Sequence, residues 1–207
     1  NRTKEKVGLR IRIYLERLTK EEEQYWTEKR ENDLGSINLL RKRHGLFIGR
    51  KLQQEKIKTF LSESRLLSLV GAAGVGKTHL ALEVIARLRN EQKKEVIFCD
   101  LTTAYGASSI AQILGKSFGL TLKPINYWNQ ISKELQRRGS VVLVLDNVEQ
   151  VAKEAIVVIK KLLEQTTEPK IMITSRVKLG LEQETLLWLQ PMSLLEGIEL
   201  FVIRAQR

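Results

Sequence analysis

Short apolar runs alternate with amphipathic stretches along residues 46–207. Continuous aliphatic runs predict strands that are buried on both faces, and apolar residues three or four apart predict helices that pack on them. This alternation predicts an α/β fold in which a parallel sheet is sandwiched by helices. The predicted strands cover residues 66–70, 96–99, 141–145 and 171–174, with a fifth candidate at 186–189.

Helical patterns occupy the segments between and after these strands. A capping box formed by Ser193 and Glu196 predicts a last helix, with Leu194, Ile198 and Phe201 on one face. The other predicted helices cover residues 80–88, 108–118, 127–138 and 151–162.

Residues 1–45 have a different pattern, dense in charge and poor in β-branched residues after Ile13. Thr19 followed by Glu22 is a second capping box, which predicts a helix from Lys20. Apolar residues alternate over 9–15, so a strand at the start stays open as an alternative. We expect a charged, mainly helical N-terminal segment or linker, and a domain boundary near residue 46.

Composition and charge narrow the class of protein. Hydrophobic residues make up 43% of the 207 and charged residues 29%, as in globular proteins. The 35 Lys and Arg outnumber the 24 Asp and Glu, and a net charge of +11 favours phosphate or acidic partners. One cysteine cannot form an internal disulfide, and no aliphatic run is long enough for a membrane. We expect a cytoplasmic protein with no membrane contact. We also expect a fragment, because the chain begins with Asn1 and not with Met.

One motif carries specific chemistry. Residues 71–78 match the phosphate-loop pattern G-x-x-x-x-G-K-[ST], between a predicted strand and a predicted helix. Glycines let backbone N–H groups point at phosphates, and the helix adds the positive end of its dipole. Lys77 is expected to reach the β- and γ-phosphates, and Thr78 to bind Mg²⁺. The loop consists of Gly71, Ala72, Ala73, Gly74, Val75, Gly76, Lys77 and Thr78.

Acidic residues follow the most apolar strand. Asp146 comes directly after residues 141–145 and is expected to hold Mg²⁺ opposite Thr78. Asn147 stands where many ATPases place a second acid that polarises the attacking water. An amide cannot accept a proton usefully, so hydrolysis is expected to be slow or to rely on Glu149. A charge partner at a helix N-terminus is the alternative role of Glu149.

Two further strand ends carry polar residues. Arg176, after Thr174 and Ser175, is placed to present a planar fork of donors to a γ-phosphate. A surface arginine after a strand is the alternative that the residues alone leave open. Asp100 ends another strand. It could support the site residues or be a turn residue, and we assign it no role from sequence.

These motifs occur in one order along the chain and resemble a known family. F-I-G-R at 47–50, the phosphate loop, L-V-L-D-N-V-E at 143–149, I-T-S-R at 173–176 and L-W-L-Q-P-M at 187–192 resemble the nucleotide-binding domain of STAND ATPases, the NB-ARC-like signalling switches. The resemblance covers about residues 46–207. It implies a domain truncated at its C-terminal end, because the chain stops before the small helical and winged-helix domains of that family.

The resemblance implies ATP or ADP and Mg²⁺ as ligands. It implies that Arg176 senses the γ-phosphate, that ADP holds a closed form, and that ATP favours an open form that self-associates in the full-length protein. DNA or a protein effector would be reached through a neighbouring domain. The expected nucleotide contacts outside the phosphate loop are Phe47, Ile48, Gly49 and Arg50 around the adenine, together with His79 and Pro191.

Two other functions stay open from sequence. An AAA+-type ATPase that loads or remodels protein on nucleic acid fits the phosphate loop, although such proteins usually have glutamate at the position of Asn147. A basic nucleic-acid-binding module fits the net charge and the basic cluster at residues 41–44, which fits a solvated linker equally well.

Overall fold

The computed structural model describes residues 47–92, 94–123 and 126–205. Residues up to Ser193 in these ranges belong to one compact unit, and the helix that follows Ser193 is described by itself. The expectations for residues 1–45, including the helix from Lys20 and the alternative strand at 9–15, lie outside the described residues.

Five parallel strands form the sheet, in the order β2-β3-β4-β1-β5. The predicted parallel sheet is therefore confirmed, and the fifth candidate strand is present. Strand β4 lies between β1, which leads into the phosphate loop, and β3, which ends at Asp146. The strands are β1 Leu66–Val70, β2 Glu95–Asp100, β3 Val141–Asp146, β4 Lys170–Ser175 and β5 Glu184–Trp188.

Helices cover both faces of the sheet. These helices are α1 Lys51–Glu63, α2 Lys77–Gln92, α3 Ala107–Phe118, α4 Tyr127–Arg138 and α5 Ala152–Gln165, with a 3₁₀ turn at Val148–Val151. The helix of the other unit is α6 Leu194–Ala205. Apolar residues of α1 and α2 pack on one face, against Val142 and Val144 of β3. Those of α3, α4 and α5 pack on the other face, against Val141, Leu143 and Leu145. The continuous apolar run of β3 is thus explained by burial on both faces.

Helix α6 begins where the capping box predicts, but its predicted apolar face is exposed to solvent. Leu194 is 80% exposed and Phe201 is 73% exposed, whereas Ile203 is buried. The hydrophobic spacing predicted the helix but not which of its faces is covered.

Candidate nucleotide site

The phosphate loop joins the buried strand β1 to the first turn of α2. Gly74 and Gly76 have φ angles of 74° and 95°, in the left-handed region that glycine adopts without steric cost. Lys77 is the first residue of α2, and the amide of Leu80 donates to the carbonyl of Gly76 at 2.9 Å. The loop therefore has the strand–turn–helix context that phosphate binding at a helix N-terminus requires.

Gly71 is fixed at the base of this loop by two neighbouring segments. Its amide donates to the carbonyl of Ser175, at the end of β4, over 3.3 Å. A Cβ atom at position 71 would lie 2.6 Å from the carbonyl oxygen of Leu189, just after β5. Only glycine fits here, and the start of the loop is packed between the ends of β4 and β5.

The Lys77 side chain folds back over the loop. Its ammonium group donates to the carbonyls of Gly71 at 2.9 Å and Ala72 at 3.0 Å, and the residue is 8% exposed. Burial lowers the pKa of Lys77; Glu149 opposes this shift, Arg176 adds to it, and Asp146 opposes it. The lysine is thus a partly desolvated cation beside the loop, which gains from an anionic partner.

Asp146 is the centre of a buried hydrogen-bond network. The Thr78 hydroxyl donates to its two carboxylate oxygens at 2.9 and 3.0 Å, and the Thr174 hydroxyl donates to Oδ1. The aspartate is 2% exposed. Burial raises the pKa of Asp146, the hydrogen bonds from Thr174 and Thr78 oppose this, and the charges of Asp100 and Glu149 add to it. A hydroxyl beside a carboxylate supplies the oxygen ligands that Mg²⁺ prefers, so these residues fit a magnesium-nucleotide complex.

The described part of the chain contains no group of three or more His, Cys, Asp or Glu side chains that could hold a metal by themselves. Mg²⁺ commonly binds through one or two carboxylates together with the phosphates of its nucleotide. Thr78 and Asp146 are therefore the residues that would hold the ion, with phosphate oxygens completing its coordination.

Asn147 is a hydrogen-bond donor to three side chains. Its side-chain nitrogen Nδ2 donates to Asp100 at 3.2 Å, Thr102 at 2.9 Å and Asp146 at 3.1 Å. Its backbone φ angle is 59°. Its backbone N–H donates to Thr174 Oγ1 at 3.0 Å. An amide nitrogen can donate to two carboxylates at once, whereas a second acid at this position would repel both. Asn147 therefore ties β2 to Asp146 at the end of β3.

Asp100 and Thr102 belong to this network and were not assigned to the site from sequence. Asp100 pairs with Asp146 in the register of β2 and β3. Burial acts to raise the pKa of Asp100, but hydrogen bonds from Thr102 and Asn147 outweigh it and leave the pKa lowered. The sequence signal was present: acidic residues end two neighbouring strands.

Glu149 and Arg176 form an ion pair at the same edge of the sheet. The Nε of Arg176 lies 3.0 Å from Oε1 of Glu149, and the two side chains are 57% and 13% exposed. The second oxygen of Glu149 is buried and has no hydrogen-bond partner among the described residues. The structure therefore brings two predicted site residues together in a contact that the sequence did not predict.

The segment at residues 47–50 lies against the phosphate loop and α2. The rings of Phe47 and His79 meet edge to face, with centroids 4.9 Å apart. Ile48 and Arg50 are buried, while Pro191 is exposed. The Arg50 guanidinium donates to the carbonyl of Val75 at 2.8 Å and to that of Gln190 at 3.0 Å. Its side chain thus joins the phosphate loop to the segment after β5, a role that the resemblance did not imply.

Comparison with protein families agrees with this geometry. The sequence profile of a family described as "AAA domain" matches residues 59–176, which is more than half of the chain. The match extends from α1 to Arg176, so it includes the phosphate loop, Asp146 and the whole of β4.

Curated relatives occur in mycobacteria. An uncharacterized protein of Mycobacterium tuberculosis is 32% identical over 162 residues, which is 78% of this chain and 41% of that protein. A putative HTH-type transcriptional regulator of the same species is 28% identical over 152 residues, which is 73% of this chain and 17% of that protein. The chain therefore spans less than half of the length of these relatives.

Solved structures share the fold at low sequence identity. A STAND protein with a tetratricopeptide repeat sensor from Pyrococcus horikoshii matches 78% of this chain and 26% of its own, with a TM-score of 0.56 and 18% identity. Cdc6p from Pyrobaculum aerophilum matches 77% of this chain and 51% of its own, with a TM-score of 0.59 and 12% identity.

The ORC2 protein of Aeropyrum pernix, solved as ADPNP–ADP complexes, matches 76% of this chain and 51% of its own. Its TM-score is 0.56 and its identity 16%. No helix in the described ranges has the length and apolar character needed to cross a lipid bilayer. The fold, the phosphate loop and the family match together establish that the chain belongs to the AAA domain family and contains an AAA-type P-loop ATPase domain.

Proposed function

We propose that this domain is an ATP/ADP-binding signalling switch of the STAND type, with slow Mg²⁺-dependent ATP hydrolysis. The observation that carries the proposal is the meeting of four groups at the carboxyl ends of the strands. Lys77 follows β1, Asp146 ends β3 with Thr78 hydrogen-bonded to it, and Arg176 follows β4. Ligands of open parallel sheets bind at this edge.

Each of these residues has a proposed task in nucleotide binding. The loop amides and Lys77 bind the β- and γ-phosphates, and Thr78 and Asp146 hold Mg²⁺. Arg176 contacts the γ-phosphate, which only ATP carries. Phe47, Ile48, Gly49 and Arg50, with His79 and Pro191, form the side of the site that faces the adenine. The Phe47–His79 ring contact next to the first turn of α2 supports this placement.

Slow hydrolysis follows from the role of Asn147. Its side-chain nitrogen donates to Asp146, Asp100 and Thr102, and an amide is not basic enough to take a proton from an attacking water. Glu149 is the remaining acid near Lys77, and one of its oxygens is buried without a hydrogen-bond partner in the described structure. A buried acceptor of this kind needs a polar partner, and a water held for attack is one that fits.

The output of the switch lies outside this domain. In the proposal, the ATP form of the full-length protein self-associates, and a neighbouring domain contacts DNA or a protein effector. One relative carries the description of a putative HTH-type transcriptional regulator, and this supports DNA as the partner.

The first test is to denature the purified protein and identify any nucleotide that it releases. Released ADP supports a switch with a resting ADP form. The matched variant is Lys77→Ala, which removes a cation from the loop and leaves no cavity in the core. We expect this variant to lose ATP and ADP binding but to remain folded, with a lowered melting temperature because the buried ammonium no longer donates to the carbonyls of Gly71 and Ala72. Full nucleotide affinity in Lys77→Ala would refute the site.

The magnesium assignment has its own test. Asp146→Asn removes a charge that faces the metal, so it should weaken nucleotide binding in the presence of Mg²⁺ more than binding in EDTA. Equal weakening under both conditions would mean that Asp146 is a structural residue.

A further inference from the structure

We infer that Glu149 competes with the γ-phosphate of ATP for Arg176, and that it thereby determines how strongly the site distinguishes ATP from ADP. The inference rests on the proposed function, and it concerns the regulation of the same site. It assigns to Glu149 a second task beside that of accepting a hydrogen bond from water.

The ion pair has one fixed and one exposed member. Glu149 lies in the 3₁₀ turn Val148–Val151, whose end residues are buried in the core, and its own side chain is 13% exposed. Arg176 follows the last residue of β4, and its side chain is 57% exposed. The carboxylate is therefore held by the fold, whereas the guanidinium can rotate away from it into solvent or onto a ligand.

The pair is close to the phosphate-binding lysine. The amide of Gly71 donates to the carbonyl of Ser175, the residue directly before Arg176, over 3.3 Å. Lys77 itself lies against the carbonyls of Gly71 and Ala72 at the start of the loop. A phosphate bound by Lys77 would therefore be near both members of the pair.

A carboxylate and a phosphate present the same feature to an arginine. Both offer negatively charged oxygens to the planar fork of N–H donors, so each can replace the other as its partner. When ATP binds, the γ-phosphate draws Arg176 from Glu149, and the lost ion pair subtracts from the affinity. ADP has no γ-phosphate and leaves the pair intact. The competition thus lowers ATP affinity selectively, and it releases Glu149 only when ATP is bound.

The main alternative is that Glu149 raises the affinity for ATP instead of lowering it. If Arg176 keeps its Nε bond to Glu149 while its terminal nitrogens bind the phosphate, then Glu149 positions Arg176 and supports ATP binding. Removing the acid would then weaken ATP binding. The sign of one affinity change separates competition from positioning.

The test uses calorimetric titration of a non-hydrolysable ATP analogue and of ADP, each with Mg²⁺, into the full chain. The variants are Glu149→Gln, Arg176→Ala and the double variant. Because a partly exposed ion pair contributes little, we expect Glu149→Gln to raise affinity for the analogue about threefold to fivefold. ADP affinity should stay within about twofold, and the gain should vanish in the Arg176→Ala background.

Two further variants serve as controls for the loss of an acid and for the loss of its charge. Glu164→Gln removes an exposed acid from α5, and it should change neither affinity. Glu149→Asp shortens the acid but keeps its charge, and it should give a smaller gain for the analogue than Glu149→Gln. Melting temperatures of all variants show whether each is folded.

Three results would overturn the inference while the proposed function stands. They are weaker binding of the analogue by Glu149→Gln, an equal change for both nucleotides, and a gain that persists without Arg176. A wild-type protein that binds neither nucleotide would overturn the proposed function and this inference together.

Discussion

Replacing Arg50 with alanine tests whether a buried side chain holds the phosphate loop in shape. The guanidinium donates to the carbonyl of Val75 in the loop and to that of Gln190 after β5, and the residue is 5% exposed. Water cannot fully replace these donors in so buried a site. Arg50→Ala should therefore both destabilise the domain and weaken nucleotide binding.

The magnitude follows from the two contacts. Hydrogen bonds to a charged group contribute about 1.5–3 kcal/mol each, so the lower end of the range for two bonds is a loss of about 3 kcal/mol in the free energy of unfolding. For a domain of this size, that corresponds to a fall of about 6–12 °C in melting temperature. Only the bond to Val75 bears on the loop, so ATP and ADP affinities should fall together, by about tenfold.

Two variants separate the side chain from the backbone. Arg50 has a φ of 55°, in the left-handed region that costs residues with a Cβ about 1–2 kcal/mol. Arg50→Gly loses the same hydrogen bonds but relieves this cost, so it should be about 1 kcal/mol more stable than Arg50→Ala. Lys51→Ala changes an exposed neighbour and should leave stability and binding unchanged.

The assays are urea unfolding, followed by circular dichroism, and titration of both nucleotides. An Arg50→Ala variant as stable as wild type would mean that water or other groups replace the guanidinium. Reduced stability with unchanged nucleotide affinity would mean that the tether does not govern the conformation of the loop. A loss confined to ATP would refute the reasoning as well, because in the proposed site the phosphate loop binds both nucleotides.

Three other predictions concern single side chains. Arg176→Ala should cost ATP about tenfold to a hundredfold in affinity and ADP little, as titration of both nucleotides would measure; equal losses would remove it from the sensor role. Asn147→Asp removes the amide donor to two carboxylates, so urea unfolding should show a destabilisation of about 1–3 kcal/mol. ATP turnover should not rise in this variant, and faster turnover would contradict the structural role of Asn147. Hydrogen bonds from Arg137 and Arg138 lower the pKa of Glu134 to about 2, so its stabilisation is present above its ordinary value of 4.5 and lost as pH falls from there toward 2. Glu134→Gln should flatten this part of the stability–pH curve, and an unchanged acid limb would argue against the pairing.

The fold was predictable because its signals are local. The apolar run of β3 and the glycine-rich loop before Lys77 each occupy a few consecutive residues, and each has a physical meaning by itself. Helix α6 marks the limit of this reasoning. Its apolar spacing predicts a helix correctly, but whether Leu194 and Phe201 are covered depends on neighbours that spacing does not identify.

The pairings within the site were not predictable, because they join distant parts of the chain. Arg50 and Gln190 are 140 residues apart, and Asn147 and Asp100 are 47 residues apart. Sequence reasoning assigned a role to each residue separately, so Asn147 looked like a missing acid. In the structure it is a donor that two carboxylates share. An acid at that position could not donate to them, which explains why an amide stands there.

The contacts of the phosphate loop give a physical route by which a bound nucleotide would affect the rest of the chain. Gly71 packs against the carbonyl of Leu189, Arg50 joins Val75 to Gln190, and the Gly71 amide bonds to Ser175, the residue before Arg176. Because the segment after β5 contacts both the base and the tip of the loop, a change in loop conformation must shift Leu189 and Gln190 or strain the contacts that hold them. If nucleotide binding changes the conformation of the loop, we therefore expect Leu189 and Gln190 to move with it.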